Sequence, residues 1–195
     1  MSKFVLTEFL ELSNDSSLLT EQEKKAMNEG EEFILAGVMQ RADAENGNGR
    51  IYPLDILERE VENYKKIVRD SRSIGELDHP DSPVVELKNA SHMVTYIEMR
   101  GKDVIGKIKI LDTPAGKVAK DLLKGGVKLG ISSRGLGSTK QINGKTMVQE
   151  DFQLVCFDLV SEPSTNGAFM LKEGVQPNIF TKADKINRIL NSIIK

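Results

Sequence analysis

The chain has 195 residues, which is enough for one domain with a sizeable core. Its net charge of -2 gives no basic surface for nucleic acid, and its single Cys excludes an intramolecular disulfide and favours a reducing compartment. No apolar run approaches the roughly 20 residues of a membrane span, and acidic residues among the first apolar ones argue against a signal peptide. We therefore expect a soluble, cytoplasmic protein that binds neither nucleic acid nor membrane.

The two ends of the chain look different from its middle. Residues 1–30 are interpreted as an appendage, either a solvated terminus or a structured regulatory segment. Within them, Thr20 and Glu23 have the spacing of a capping box and predict a short helix. Residues 174–195 are predicted to form an amphipathic helical tail, since the apolar residues after Ile186 fall on one side of a helix.

The middle of the chain is predicted to be mostly β with two helices. Apolar runs and alternation predict strands at about 33–39, 93–99, 104–111 and 152–160. Pro53 and Thr113 with Pro114 mark the starts of two helices with apolar stripes. Glycine-containing pairs at 101–102 and 143–144 predict hairpin turns.

The most informative stretch runs from Val127 to Ser138. Its apolar residues alternate with polar or small ones, so it begins as a strand in which Ile131 faces the core and Ser132 faces away. Glycines and hydroxyls follow, which predict that the strand ends and that the backbone approaches another molecule closely. Ser132 is the candidate nucleophile, and Ser133, on the face of Ile131, is the alternative.

A serine hydroxyl needs a base, usually His, and the chain has only two His. His79 lies in a polar segment before Pro80 and is predicted to be in a loop, where the alternative is a surface residue with no role in chemistry. His92 begins an apolar strand, and we expect it to be a partly buried strand-edge residue. His79 is therefore the candidate base.

Asp158 is the candidate third member, because it interrupts the run 154–160, which is predicted to be buried on both faces. An unpaired buried carboxylate is very costly, so Asp158 needs a partner such as an imidazolium. The alternative is a structural Asp that accepts hydrogen bonds from backbone amides.

A second cluster of acidic residues surrounds His79, namely Glu76, Asp78 and Asp81. Two His without a second Cys do not match the spacing of a zinc site, so no metal and no cofactor are predicted. Cys156 has apolar neighbours on both sides and is expected to be an inert core thiol.

Taken together, the segments 48–53, 75–80 and 130–138, with a weaker match at 157–160 and 163–164, resemble the prohead core serine proteases of T-even-type tailed phages. The resemblance covers about residues 31–170. It implies a serine protease domain at 31–173 with a herpesvirus-assemblin-like fold, which is mainly β: an antiparallel β-barrel surrounded by helices.

The resemblance also implies roles for individual residues. His79 would be the base and Ser132 the nucleophile. The herpesvirus relatives use a second His after the serine, which this chain lacks, so Asp158 takes that place by position and burial. The loop 164–167 resembles the one that supplies oxyanion donors, which makes Asn166 the oxyanion-hole candidate.

The function implied is an endopeptidase that cleaves phage scaffold and capsid proteins during head maturation. It would act in the host cytoplasm inside the assembling prohead, as a homo-oligomer, and would cut after Glu with Leu or Ile two residues earlier. The alternatives are a non-catalytic scaffold component of the prohead, with the glycine stretch as a binding edge, and a metal-dependent hydrolase.

Members of the family also process themselves, and the cleavage pattern occurs five times in this sequence. Glu58 lies within a predicted core helix and Glu76 next to the candidate base, so both should be protected. We predict self-cleavage after Glu8 or Glu21 and after Glu173. The last cut would release the tail 174–195, which would act as a disposable localisation or inhibitory tag; the alternative is a helix that completes the core.

Overall fold

The structure is a computed structural model that describes residues 4–10, 16–80 and 82–161. Three predictions lie outside these residues: the oxyanion candidate Asn166, the cleavage site at Glu173 and the helical tail 174–195. The described residues form a mixed α/β fold. No helix among them is long and apolar enough to cross a membrane.

Ten strands and three α-helices make up the described fold. In chain order they are β1 (Phe4–Leu10), α1 (Glu21–Asn28), β2 (Ile34–Arg41), β3 (Arg50–Ile51), α2 (Leu54–Arg69), β4 (Ile74–Glu76), β5 (Ala90–Arg100), β6 (Asp103–Ile110), α3 (Pro114–Lys124), β7 (Gly130–Gly137), β8 (Thr139–Ile142), β9 (Lys145–Val148) and β10 (Gln153–Val160).

The predicted helix starts are confirmed by the capping contacts. The Thr20 side chain accepts a hydrogen bond from the Glu23 amide, and the Glu23 side chain accepts one from the Thr20 amide, which completes the capping box of α1. At α3 the Thr113 side chain accepts a hydrogen bond from the Gly116 amide, and Pro53 immediately precedes α2. Each of these helices therefore begins where its sequence signal places it.

The strands form three sheets, with the orders β1-β7-β10, β2-β6-β5-β4 and β3-β9-β8. All pairings are antiparallel except that of β3 with β9. The predicted hairpins β5–β6 and β8–β9 are confirmed. The strand β1, which the sequence analysis did not predict, pairs with β7 at seven positions from Phe4 to Leu10.

The expected β-barrel is not closed within the described residues. The first two sheets meet at β10 and β4, where a single parallel bridge joins Leu77 to Leu159. At this edge β4 has only three residues and ends at Glu76, after which the chain leaves the sheet to carry His79. Strand alternation predicts such sheets, but it does not predict whether their edges pair.

The glycine-rich part of β7 corrects a second expectation, since the strand does not end at Ser132 but continues to Gly137. A Cβ at Gly135 would lie 2.4 Å from the Phe152 ring, and one at Gly137 would lie 2.9 Å from the Phe152 Cα. These glycines allow Phe152 to pack against the strand. They do not form an open loop.

The core lies between the sheets and the helices α2 and α3. Helix α2 packs on β5 and β10, and the Tyr64 ring meets Phe157 edge to face at a centroid distance of 5.6 Å. Leu6 of β1 is 3% exposed and belongs to the same core cluster. The packing of β10 on α2 and its pairing with β7 fix the strand that carries Asp158.

Candidate active site

Three elements bring the candidate residues to one place. Strand β7 carries Ser132, and β10 carries Asp158 directly opposite it in the antiparallel register. His79 arrives from the loop after β4, where the Asp78 amide donates a hydrogen bond of 2.6 Å to the Leu159 carbonyl. Two paired strands and an anchored loop therefore position the three side chains.

The three side chains form a continuous hydrogen-bonded chain. His79 Nδ1 lies 2.8 Å from Asp158 Oδ2, and His79 Nε2 lies 2.6 Å from Ser132 Oγ. Because an ionised carboxylate can only accept, Nδ1 carries the proton and donates it, which leaves Nε2 to accept from the Ser132 hydroxyl. This is the tautomer that a general base requires.

Asp158 is fully buried and accepts several further hydrogen bonds. Its Oδ1 accepts from the Glu76 amide at 3.0 Å, and Cys156 Sγ lies 3.4 Å away. Burial alone would raise the pKa of Asp158, but the hydrogen bond from His79 and the charge of Arg134 outweigh it, so that the pKa lies below its usual value. The carboxylate is therefore ionised at neutral pH.

Arg134, which was not among the predicted site residues, is also fully buried. Its guanidinium donates to Asp158 Oδ2 from Nε at 2.8 Å and to Asp158 Oδ1 from Nη2 at 3.1 Å. It also pairs with the buried carboxylate of Glu76. Strand alternation could have found it, because Arg134 lies two residues after Ser132 and so shares its face.

The two adjacent serines lie on opposite faces of β7, as predicted, although both are buried. Ser132 lies opposite Asp158, whereas Ser133 lies opposite Phe157. Ser133 Oγ has no hydrogen-bond partner among the described residues. Only Ser132 is bonded to a base.

His92 is more buried than expected, with no exposed surface. Its Nε2 donates to the Phe157 carbonyl at 3.0 Å, and its Nδ1 accepts from Ser91 Oγ at 2.8 Å. Burial lowers the pKa of His92 to about 4, although the Asp158 charge and the Phe157 carbonyl oppose the shift. It is a neutral core residue at physiological pH.

Cys156 is also buried, and both this burial and the nearby Asp158 charge raise the pKa of its thiol. The prediction of an inert thiol agrees with this environment.

The acidic residues near His79 are engaged in other contacts. The Glu76 carboxylate binds Arg134 and the Glu86 amide, and Asp78 accepts from the His79 amide at 3.0 Å. Within the described residues, no three His, Cys, Asp or Glu side chains converge as metal ligands; Asp81 is not among the residues described.

A buried carboxylate, an imidazole and a hydroxyl in this order form the arrangement by which hydrolases activate a serine. Asp158, His79 and Ser132 have this arrangement in the structure. The chain belongs to the family described as prohead core protein serine protease, whose model matches residues 7–183. It is therefore a capsid maturation protease of the phage type, which acts inside the assembling prohead.

Two comparisons with individual proteins agree with this family. The chain is 32% identical over 158 residues to the prohead core protein protease of Enterobacteria phage T4, covering 78% of this chain and 74% of that protein. The structure is similar to that of the bacteriophage T4 capsid assembly protease, gp21, with a TM-score of 0.68 and 25% identity over 84% of this chain and 100% of that one.

Proposed function

We propose that this protein is a serine endopeptidase in which Ser132 is the nucleophile, His79 the general base and Asp158 the residue that orients His79. The hydrogen-bonded chain from Asp158 through His79 to Ser132 carries the proposal. Its distances, 2.8 and 2.6 Å, are those of proton-transfer partners. Family membership implies phage capsid or scaffold proteins as substrates.

The geometry supports a two-stage reaction. Ser132 Oγ attacks the scissile carbonyl carbon while its proton moves to His79 Nε2. The tetrahedral intermediate collapses, the C–N bond breaks, and His79 gives the proton to the departing amine. Water then loses a proton to His79 and attacks the acyl group, which releases the acid product and restores the Ser132 hydroxyl. Asp158 stabilises the imidazolium in both stages.

Substrate recognition belongs to the same proposal. We expect cleavage after Glu with Leu or Ile two residues earlier, and we retain Asn166 as the donor to the oxyanion. Two exposed apolar side chains, Val84 and Leu87, lie on the segment that follows His79, at 69% and 72% exposure. Because they are exposed and follow the proposed base in the chain, we propose them as candidates to contact that Leu or Ile.

A fluorophosphonate probe tests the nucleophile. The full-length protein should be labelled, the Ser132→Ala variant should not, and Ser133→Ala, the matched control, should keep the label. Labelling should also survive a chelator. Label that persists in Ser132→Ala but vanishes in Ser133→Ala would move the nucleophile by one residue, and a folded wild-type protein that is never labelled would contradict serine catalysis.

Self-processing is proposed after Glu8 or Glu21 and after Glu173. Glu58 lies within α2 and Glu76 within β4, so both bonds are part of regular structure. Glu8 lies in β1, where the neighbouring Thr7 carbonyl accepts hydrogen bonds from Asn48 Nδ2 at 2.9 Å and Arg50 Nη1 at 3.2 Å. Cleavage there requires that β1 first leave β7, since a protease binds an extended, unpaired segment.

Glu21 is the first residue of α1, so a cut after it requires that the capping box open. The cut after Glu173 would release the amphipathic tail 174–195. Intact mass under activating conditions, compared with Ser132→Ala, measures all three cuts. A wild-type chain that stays at full length while it cleaves a Leu-x-Glu peptide would refute self-processing and leave the protease assignment standing.

A further inference from the structure

The contacts of Arg134 link the two buried carboxylates that lie behind the imidazole of His79, those of Asp158 and Glu76. In addition to its two bonds to Asp158, its Nη2 donates to Glu76 Oε2, and its Nη1 donates to the Ser82 carbonyl at 2.5 Å. The side chains of Arg134, Glu76 and Asp158 all have 0% exposure. A guanidinium in such a closed set of partners is held in one orientation, and through its planar fork it fixes the plane of the Asp158 carboxylate.

The net charge of Arg134, Glu76 and Asp158 affects how well protonated His79 is stabilised. Arg134 alone would neutralise Asp158, so that the pair would offer little stabilisation to a protonated His79. Glu76 adds a second negative charge, and two carboxylates with one guanidinium leave one net negative charge. This is the charge that a buried aspartate supplies by itself in a simple triad.

We propose that Arg134 and Glu76 are positioning residues of the active site. Arg134 holds the Asp158 carboxylate in the orientation in which it accepts the hydrogen bond from His79 Nδ1, and Glu76 offsets the Arg134 charge so that protonated His79 is stabilised. The inference rests on the proposed function, because it assigns a task only if His79 is the base. It adds a fourth and a fifth side chain to the catalytic arrangement.

Other titratable groups surround the cluster from each packed element. They are Tyr64 of α2, His92 of β5, Cys156 of β10, and Asp78, Glu86 and Lys88 of the segment between β4 and β5. Burial raises the pKa of Tyr64 and of Cys156 and lowers that of His92 to about 4, so these three are uncharged at neutral pH. The charges in direct contact with Asp158 are therefore those of Arg134 and, when it is protonated, His79.

The test is the rate at which a fluorophosphonate modifies Ser132 in the full-length protein, measured against pH. The rate rises with pH as His79 loses its proton. Glu76→Gln removes a negative charge, which disfavours the imidazolium, so the rising part of the pH–rate profile should move to lower pH and the plateau rate should fall severalfold because His79 becomes a weaker base. Arg134→Lys keeps the positive charge but loses the planar fork of donors. The plateau rate should therefore fall, while the pH at which the rate rises should stay the same.

Two further variants separate this role from a structural one. The double variant with Glu76→Gln and Arg134→Met again has one net negative charge, from Asp158 alone. Its labelling rate should therefore rise at the same pH as in the wild type. Glu60→Gln is the matched control, because Glu60 is a buried acid bonded to Arg59 at 2.9 Å and to the Leu154 amide at 2.8 Å. It should change neither the pH at which the rate rises nor the plateau rate.

A Glu76→Gln protein that behaves like Glu60→Gln, while wild type is labelled at Ser132, would overturn this inference alone. A wild-type protein that is not labelled would overturn the proposed function and the inference with it. If Glu76→Gln does not fold, Arg134→Lys decides instead. A plateau rate of Arg134→Lys equal to that of the wild type would also overturn the inference.

Discussion

The two histidines of this chain form hydrogen bonds to adjacent residues of β10 but have different environments. His79 binds the Asp158 carboxylate and the Ser132 hydroxyl, and 24% of its side chain is exposed. His92 binds the carbonyl of Phe157, the residue before Asp158, and has no exposed surface. One imidazole has a charged hydrogen-bond partner and some exposed surface, whereas the other has neither.

Both rings lie close to Asp158, so we propose that the hydrogen-bond partner decides the role of each imidazole. A carboxylate bonded to Nδ1 stabilises the protonated ring, which lets His79 take a proton during a reaction. Burial against a neutral carbonyl does the reverse and lowers the pKa of His92 to about 4. Gly75 allows this packing, because a Cβ there would lie 2.3 Å from His92 Nε2.

The largest expected effect is that of His79→Ala. Without the base, kcat should fall by about 10⁶-fold, as when a triad histidine is removed. The melting temperature should change little, because His79 lies in a loop. Peptide hydrolysis and thermal unfolding measure the two quantities. His92→Gln is the matched control and should have the opposite profile: normal turnover per folded molecule and lower stability. Near wild-type proteolysis by His79→Ala would refute the proposed triad.

Asp158→Asn should have the next largest effect. The amide NH₂ would face His79 Nδ1 and favour the tautomer whose proton lies on Nε2, toward Ser132. Turnover should then fall by on the order of 10⁴-fold. The variant also deprives Arg134 of one counter-charge, so the unfolding midpoint should fall as well. Wild-type turnover with lowered stability would instead assign Asp158 a purely structural role.

Signals between residues close together in the sequence predicted the helices and two of the candidate site residues. Caps and apolar stripes place the helices α1, α2 and α3, and the scarcity of histidine, with one Asp in an apolar run, led to His79 and Asp158. The structure brings these two residues together with Ser132.

Long-range contacts account for most of what the sequence analysis missed. Strand β1 gains its stability from β7, far along the chain, and only the packing of Phe152 explains why the glycines of β7 stay in the sheet. Arg134 was missed because an arginine among glycines and serines is usually exposed. Its burial depends on two carboxylates, Glu76 and Asp158, that come from different strands.

His92 should also determine how stability depends on pH. The unfolded chain binds a proton at His92 below a pKa of about 6.5, whereas the folded protein resists protonation down to about pH 4. The contribution of neutral His92 to the free energy of unfolding is thus fully present above pH 6.5. It is lost as the pH falls toward 4, and the loss is on the order of 3 kcal/mol.

Urea unfolding at pH 7 and pH 4.5 measures this loss. The experiment is best done in the His79→Ala background, where His92 is the only histidine of the chain. Adding His92→Gln should flatten the difference between the two pH values. If the difference is the same with and without His92, the buried imidazole is not its source.

The smallest expected effect separates the two adjacent serines. Ser133→Ala removes a buried hydroxyl that has no hydrogen-bond partner among the described residues and lies on the face of Phe157, away from His79. Turnover should stay within about twofold of wild type, and stability should be unchanged or higher by up to about 1 kcal/mol, because an unpaired buried hydroxyl costs free energy that its removal restores. Ser132→Ala, one residue away on the same strand, should abolish turnover. Hydrolysis and thermal unfolding of the two variants side by side decide the matter. A Ser133→Ala protein that folds normally but has lost activity would show that the strand presents its second hydroxyl to the substrate, and that the bond between His79 and Ser132 does not identify the nucleophile.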